Sequence, residues 1–112
     1  MSKKNELRKS MIEEEKQILD KKEFSDPELL QILAHEKNQL ILNLLIKQEM
    51  TIIDLKNLTK LNPGTIKRHL DLLIDKNLIF QSRIEINRYG IRMKYYRASA
   101  KQFDINIKFS WP

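Results

Sequence analysis

Residues 62–73 read NPGTIKRHLDLL and gather the side chains best suited to chemistry. Asn62 offers a helix-capping oxygen, Pro63 suits a first helical position, and Gly64 leaves the backbone bare for close approach. Thr65, Lys67, Arg68 and His69 follow within about one turn of helix. Arg brings a planar fork for two parallel hydrogen bonds and Lys a compact charge. The free amides at a helix start attract anions. Ile66, Leu70 and Leu73 fall at i, i+4 and i+7, on the opposite side of the same helix. A helix over 63–76 is therefore anchored by its aliphatic back and shows a cationic front. That chemistry is recognition of an oxygen-rich anion, not bond-making.

A second group lies downstream. The stretches LIFQSRIEI and IRMKYYRAS, joined by NRYG, read as strand, turn and strand over 79–98. They carry Arg83, Arg88, Arg92, Lys94 and Arg97, with Asn87, Tyr89 and Gly90 around Arg88 in the turn. In the second strand Arg92, Lys94, Tyr96 and Ala98 share one face, and Ile91, Met93, Tyr95 and Arg97 the other. Arg97 is better placed to bridge to an acidic residue. Tyr95 and Tyr96 read as packing residues rather than as a stacking platform.

Other chemistries are excluded or unsupported. There is no cysteine, which removes disulfides and thiolate metal sites. His35 and His69 cannot build a metal site by themselves, so no metal and no cofactor is expected. Glu13, Glu14 and Glu15 read as a solvated helix face. His69 reads as a packing or phosphate-contacting residue rather than a catalyst. No nucleophile–base spacing and no phosphate-cradling glycine loop occurs, so an enzyme is not expected.

Charge distribution points the same way. The 112 residues carry a net charge of +6. Residues 1–60 hold 11 Lys/Arg and 11 Asp/Glu; residues 61–112 hold 10 and 4. The excess lies wholly in the half that contains the two basic groups, which favours a polyanionic partner such as nucleic acid. No apolar run reaches the ~20 residues of a membrane span and no signal-peptide core is present. The expected location is the cytoplasm, with no membrane association in this chain.

The elements that must position these groups can be read in order. Residues 3–22 form a charged helix with a narrow stripe of Leu7, Met11, Ile12, Ile18 and Leu19. This helix lies across the domain, pairs with its mate in a dimer, or does both. After Phe24-Ser25-Asp26-Pro27, where Ser25 or Asp26 can cap, a helix runs to about His35. Residues 36–47 form a strongly apolar central helix, and Met50 sits in a turn. Thr51 and Asp54 have capping-box spacing for a helix through Thr59. Lys60-Leu61-Asn62 is a tight turn, and Asn77 suits the left-handed end of the next helix. In the tail Phe103, Ile105, Ile107, Phe109 and Trp111 alternate with polar residues, as in a strand whose apolar face needs cover.

Two short helices around a tight turn, the second showing its N-terminal edge, make a helix-turn-helix; the hairpin behind makes it winged. Residues 32–79, ILAHEKNQLILNLLIKQEMTIIDLKNLTKLNPGTIKRHLDLLIDKNLI, resemble the helix-turn-helix core of ArsR-like winged-helix transcription regulators. Residues 95–103, YYRASAKQF, resemble the second wing strand and the segment after it. The resemblance spans roughly 27–103. It implies DNA contact by Asn62, Pro63, Gly64, Thr65, Lys67, Arg68 and His69, and by the wing tip at Arg88. The sequence departs from the family pattern at Lys60 and Asn77, where glycine is frequent. It also lacks the cysteines used by metal-sensing relatives.

The expected fold is mainly α with a small antiparallel hairpin, a winged helix-turn-helix. It divides into an N-terminal helix at 1–24, a DNA-binding domain at 25–99 and an apolar tail at 100–112. The expected function is sequence-specific binding of double-stranded DNA in transcription regulation. Helix 63–76 would read the major groove, and a wing bearing Arg83, Asn87, Arg88, Tyr89, Arg92 and Lys94 would touch backbone or minor groove. A homodimer is expected, with Leu7, Met11, Ile18, Ile107, Phe109 and Trp111 as interface candidates. Two alternatives stand beside this: a protein-interaction module on the same fold, or the DNA-binding part of a longer sensor protein.

Overall fold

The computed structural model describes residues 18–112. In chain order the elements are β1 (Lys22–Phe24), α1 (Glu28–Ala34), α2 (Glu36–Lys47), α3 (Ile52–Thr59), α4 (Pro63–Asp75), β2 (Ile79–Ile86), β3 (Arg92–Ala98) and β4 (Phe103–Ile105). Four helices and an antiparallel hairpin give the expected winged helix-turn-helix.

Local sequence explains most boundaries. Asp26 accepts a hydrogen bond from the Glu28 amide ahead of α1. Both halves of the Thr51–Asp54 capping box form, so α3 begins with two free amides satisfied. Lys60 ends α3 in the left-handed region at φ 63°. Asn62 then caps α4, with Pro63 in its first turn. Asn77 adopts φ 60° directly after α4. The turn into and out of the basic helix is thus written by four consecutive punctuation signals.

α2 is the spine, with Ile41 and Leu45 fully buried and Leu42 nearly so. Leu55 from α3 and Ile66, Leu70 and Leu73 from α4 close onto it at 0% exposure. Leu78, Ile79, Tyr96 and Ala98 complete the core from the base of the hairpin. Burying an aliphatic side chain this completely contributes roughly 1.5–3 kcal/mol before entropy is counted. α4 is therefore rigidly attached along its back.

β2 and β3 pair antiparallel from Ile79↔Ala98 to Ile86↔Arg92, with an irregularity between Gln81 and Arg83. The extra residue, Ser82, is buried. A parallel pair, β1 with β4, joins the two ends of the described chain through Lys22↔Phe103 and Phe24↔Ile105, with Leu19 bridging Ala100. Phe24 and Phe103 meet edge to face at 5.7 Å.

Three expectations are corrected. Of the helix expected over 3–22, residues 3–17 lie outside the described residues, and residues 19–24 are extended, because their amides and carbonyls pair with the segment after β3: Leu19 with Ser99 and Lys101, Lys22 with Gln102. Met50 is not a plain turn residue: its amide and carbonyl both pair with Tyr96, adding a strand stub to the hairpin. The tail is a strand only over Phe103–Ile105, since β1 offers a partner no further. Leu7 and Met11 lie outside the described residues. Ile18 packs against its own chain's core, whereas Phe109 and Trp111 are exposed and stack on each other at 6.2 Å.

Candidate nucleic-acid interface

The first turn of α4 is built for close approach. The Asn62 side-chain oxygen accepts from the Gly64 amide at 2.7 Å. A Cβ on residue 64 would stand 3.2 Å from that oxygen, so glycine both permits the cap and keeps the edge low. Asn62, Pro63 and Gly64 are exposed and Thr65 is half-buried. Lys67 and Arg68 project outward from the second turn. Lys67 is paired with Asp71 one turn on, at 2.5 Å. That hydrogen bond, opposed by slight desolvation, raises the Lys67 pKa. Arg68 has no carboxylate partner among the described residues and is the free fork of this helix.

His69 is held differently. Its Nδ1 lies 2.7 Å from Oδ1 of Asn38, which is 1% exposed. The Asn38 amide nitrogen donates to the Ile32 carbonyl, so its oxygen can only accept, and His69 Nδ1 must carry the proton. In the neutral ring this leaves the lone pair on Nε2. Burial pushes its pKa down, helped by His35, Arg68 and Lys37 nearby. The His35 ring is 5.1 Å away. His69 thus ties the basic helix to the start of α2. The sequence carries no signal for Asn38, which sits among the polar residues Glu36, Lys37 and Gln39 at the start of α2.

The hairpin splits into two faces with different uses. Arg83 is committed within the chain: it bonds Glu49 and Glu85 and lies 3.8 Å over the Tyr95 ring. The Glu49 and Glu85 bonds raise its pKa further. Glu49 also accepts from the buried Ser82 hydroxyl at 2.6 Å. This group fastens the hairpin to the segment between α2 and α3. Arg97 reaches the Ile46 carbonyl at 3.4 Å rather than a carboxylate. Arg92 and Lys94, on the other face, are exposed.

The tip is a tight, ordered loop. The Asn87 side-chain oxygen accepts from the amides of Tyr89 and Ile91, and Gly90 takes φ 76° to close it. Arg88 projects from this loop and covers the Tyr89 ring at 4.9 Å. Ile86, Tyr89 and Ile91 are exposed around it.

A helix whose back is locked into the core, preceded by a capped turn and flanked by an antiparallel ribbon with a basic tip, defines the winged helix-turn-helix class. Residues 36–79 match the family described as bacterial regulatory protein, arsR family. The resemblance expected from residues 32–79 is borne out over that segment. Among solved structures the chain is similar to HlyU from Vibrio cholerae N16961, at 22% identity and TM-score 0.52, covering 65% of this chain and 73% of that one. The transcriptional regulator HlyU from Vibrio vulnificus CMCP6 matches at 23% and 0.52, covering 65% and 70%. NolR from Sinorhizobium fredii matches at 29% and 0.52, covering 65% and 67%. No curated protein matches the chain. Among the described residues no helix is long and apolar enough to cross a membrane.

Proposed function

We propose that this protein is a transcription regulator that binds double-stranded DNA as a homodimer. The observation that carries the reading is the orientation of α4. Ile66, Leu70 and Leu73 are fully buried behind it while Lys67 and Arg68 face solvent beside the basic hairpin. Arg68 is the best candidate for a base contact, through two hydrogen bonds to one guanine. The Gly64 edge and the α4 amides suit a phosphate, and Arg88 suits the minor groove or backbone. Arg92 and Lys94 add backbone attraction. Arg83, engaged with Glu49 and Glu85, serves the hairpin's attachment instead. Two copies about a twofold axis would set their α4 helices in successive major grooves about 34 Å apart. The exposed Phe109 and Trp111, with Ile107, are candidates for the surface between copies.

Selection of bound duplexes from a random pool tests this, followed by fluorescence anisotropy on the winning sequence at two salt concentrations. A near-palindromic consensus with affinity falling steeply in salt is expected. Absence of binding even at low salt would overturn the proposal. One observation favours a second reading, a protein-docking module: Ile86, Tyr89 and Ile91 make an exposed apolar tip. The same anisotropy measurement separates the two, since a docking module has no affinity for duplex DNA.

A further inference from the structure

Between the start of α3, the front of α4 and the inner face of β3 lies an open cleft of about 360 Å³. Its apolar walls are Ile52 and Ile53, and Tyr96 closes the bottom. Lys67, Arg92 and Lys94 line it from more exposed positions. Among the described residues no carboxylate lines the cleft. Arg92 and Lys94 have no acidic partner within 4 Å among the described residues. The volume falls at the small end of the range for small-molecule sites, which are concave and mostly apolar with a few placed polar groups.

A phosphate backbone alone does not explain this surface. The DNA backbone offers charge and sugar edges, and would leave Ile53, 58% exposed, and the cleft's apolar walls without a partner. An apolar wall beside a cationic rim complements a small amphipathic anion, with its chain or ring on Ile52, Ile53 and Tyr96 and its carboxylate at Lys94 and Arg92. Charge-assisted hydrogen bonds would hold the head group, and apolar burial would hold the body.

We infer that this cleft is a binding site for an organic carboxylate with an apolar body, and that its occupation opposes DNA binding. The second half rests on the DNA-binding reading above, because Lys67, Arg92 and Lys94 would serve both partners; the first half does not. Linkage requires that the carboxylate weaken DNA by the same factor by which DNA weakens the carboxylate.

The test uses decanoate, with decanol as its uncharged counterpart, and follows backbone amide shifts by NMR on the full chain without DNA. Decanoate should bind saturably below about 1 mM, with shifts confined to residues 51–53 and 91–96. Decanol should bind about tenfold more weakly. Lys94→Gln should weaken decanoate about threefold or more, and so should Ile53→Gln, a change at an exposed helical position that spares the core. Equal affinity for decanol, or shifts centred on Phe109 and Trp111, would overturn the site. With the site established, decanoate should raise the Kd for the selected duplex and the Ile53→Gln chain should resist it. An unchanged Kd would overturn the antagonism. A chain that binds no DNA at all removes the DNA-binding reading and leaves the decanoate titration standing.

Discussion

Arg68 and Lys67 are adjacent, yet their surroundings give them different tasks. Lys67 is spent in part on Asp71, while Arg68 has no carboxylate partner among the described residues. Arg68→Ala should therefore weaken binding of the selected duplex by roughly 1–3 kcal/mol and relax its sequence preference at one position. Anisotropy on a panel of single-base variants measures both. His69 gives a pH dependence. Its folded pKa lies below the ordinary 6.5, so the unfolded chain binds more protons between the two values. The stability it contributes is complete above pH 6.5 and is lost as pH falls toward the folded value. The melting temperature should decline on the acid side of 6.5, before the carboxylates titrate, and His69→Gln should flatten that part of the curve. Lys60 carries left-handed strain at φ 63°, so Lys60→Gly should raise stability by up to about 1 kcal/mol in urea unfolding.

The elements that position the site are held by a few specific contacts. The Thr51 capping box sets the start of α3, and α3 in turn sets the turn into α4. Thr51→Ala should cost about 1 kcal/mol in urea unfolding, since it removes the oxygen that satisfies the Asp54 amide. The hairpin leans on Glu49, which gathers Ser82 and Arg83. Glu49→Ala should release that anchor and speed amide exchange through β2 and β3, while the α2 core amides keep their protection. α4 is fastened at its far end too, where Lys76 pairs with Asp26 just ahead of α1 and with Glu28 in its first turn. These pairs lie at the surface and orient more than they stabilise.

At the scale of the whole molecule, exposed apolar side chains lie beside the basic residues at the hairpin tip and again in the C-terminal tail. Phe109 and Trp111 are 68% and 80% exposed, and the paired ends β1 and β4 carry the tail. If two copies share this surface, Phe109→Ser with Trp111→Ser should shift sedimentation toward the monomer and lower the cooperativity of DNA binding. A dimer that neutralises about six to eight phosphates should give a slope near −5 to −7 in log K against log salt. Measurement over 50–200 mM salt checks it, and Arg88→Ala should flatten the slope by about one unit per chain.

The amino-acid sequence by itself determined the helix-turn-helix. Asn62, Pro63, Lys60, Asn77 and the Thr51–Asp54 pair act within four residues of themselves, and their capping geometry needs no distant partner. The spacing of Ile66, Leu70 and Leu73 likewise decided which face of α4 meets the core. The family resemblance over residues 36–79 was legible for the same reason. Only the tertiary structure decided what the long-range partners do. Arg83 reads as one wing cation among several until Glu49, 34 residues away, takes it up. His69 reads as either a packing or a phosphate-contacting residue until Asn38, 31 residues away, takes up its Nδ1. The extended course of residues 19–24 follows from pairing with residues 99–105, which overrides the helical pattern written locally. Charge type and helical phase are properties of neighbours in the chain; which charge is already spent is a property of neighbours in space.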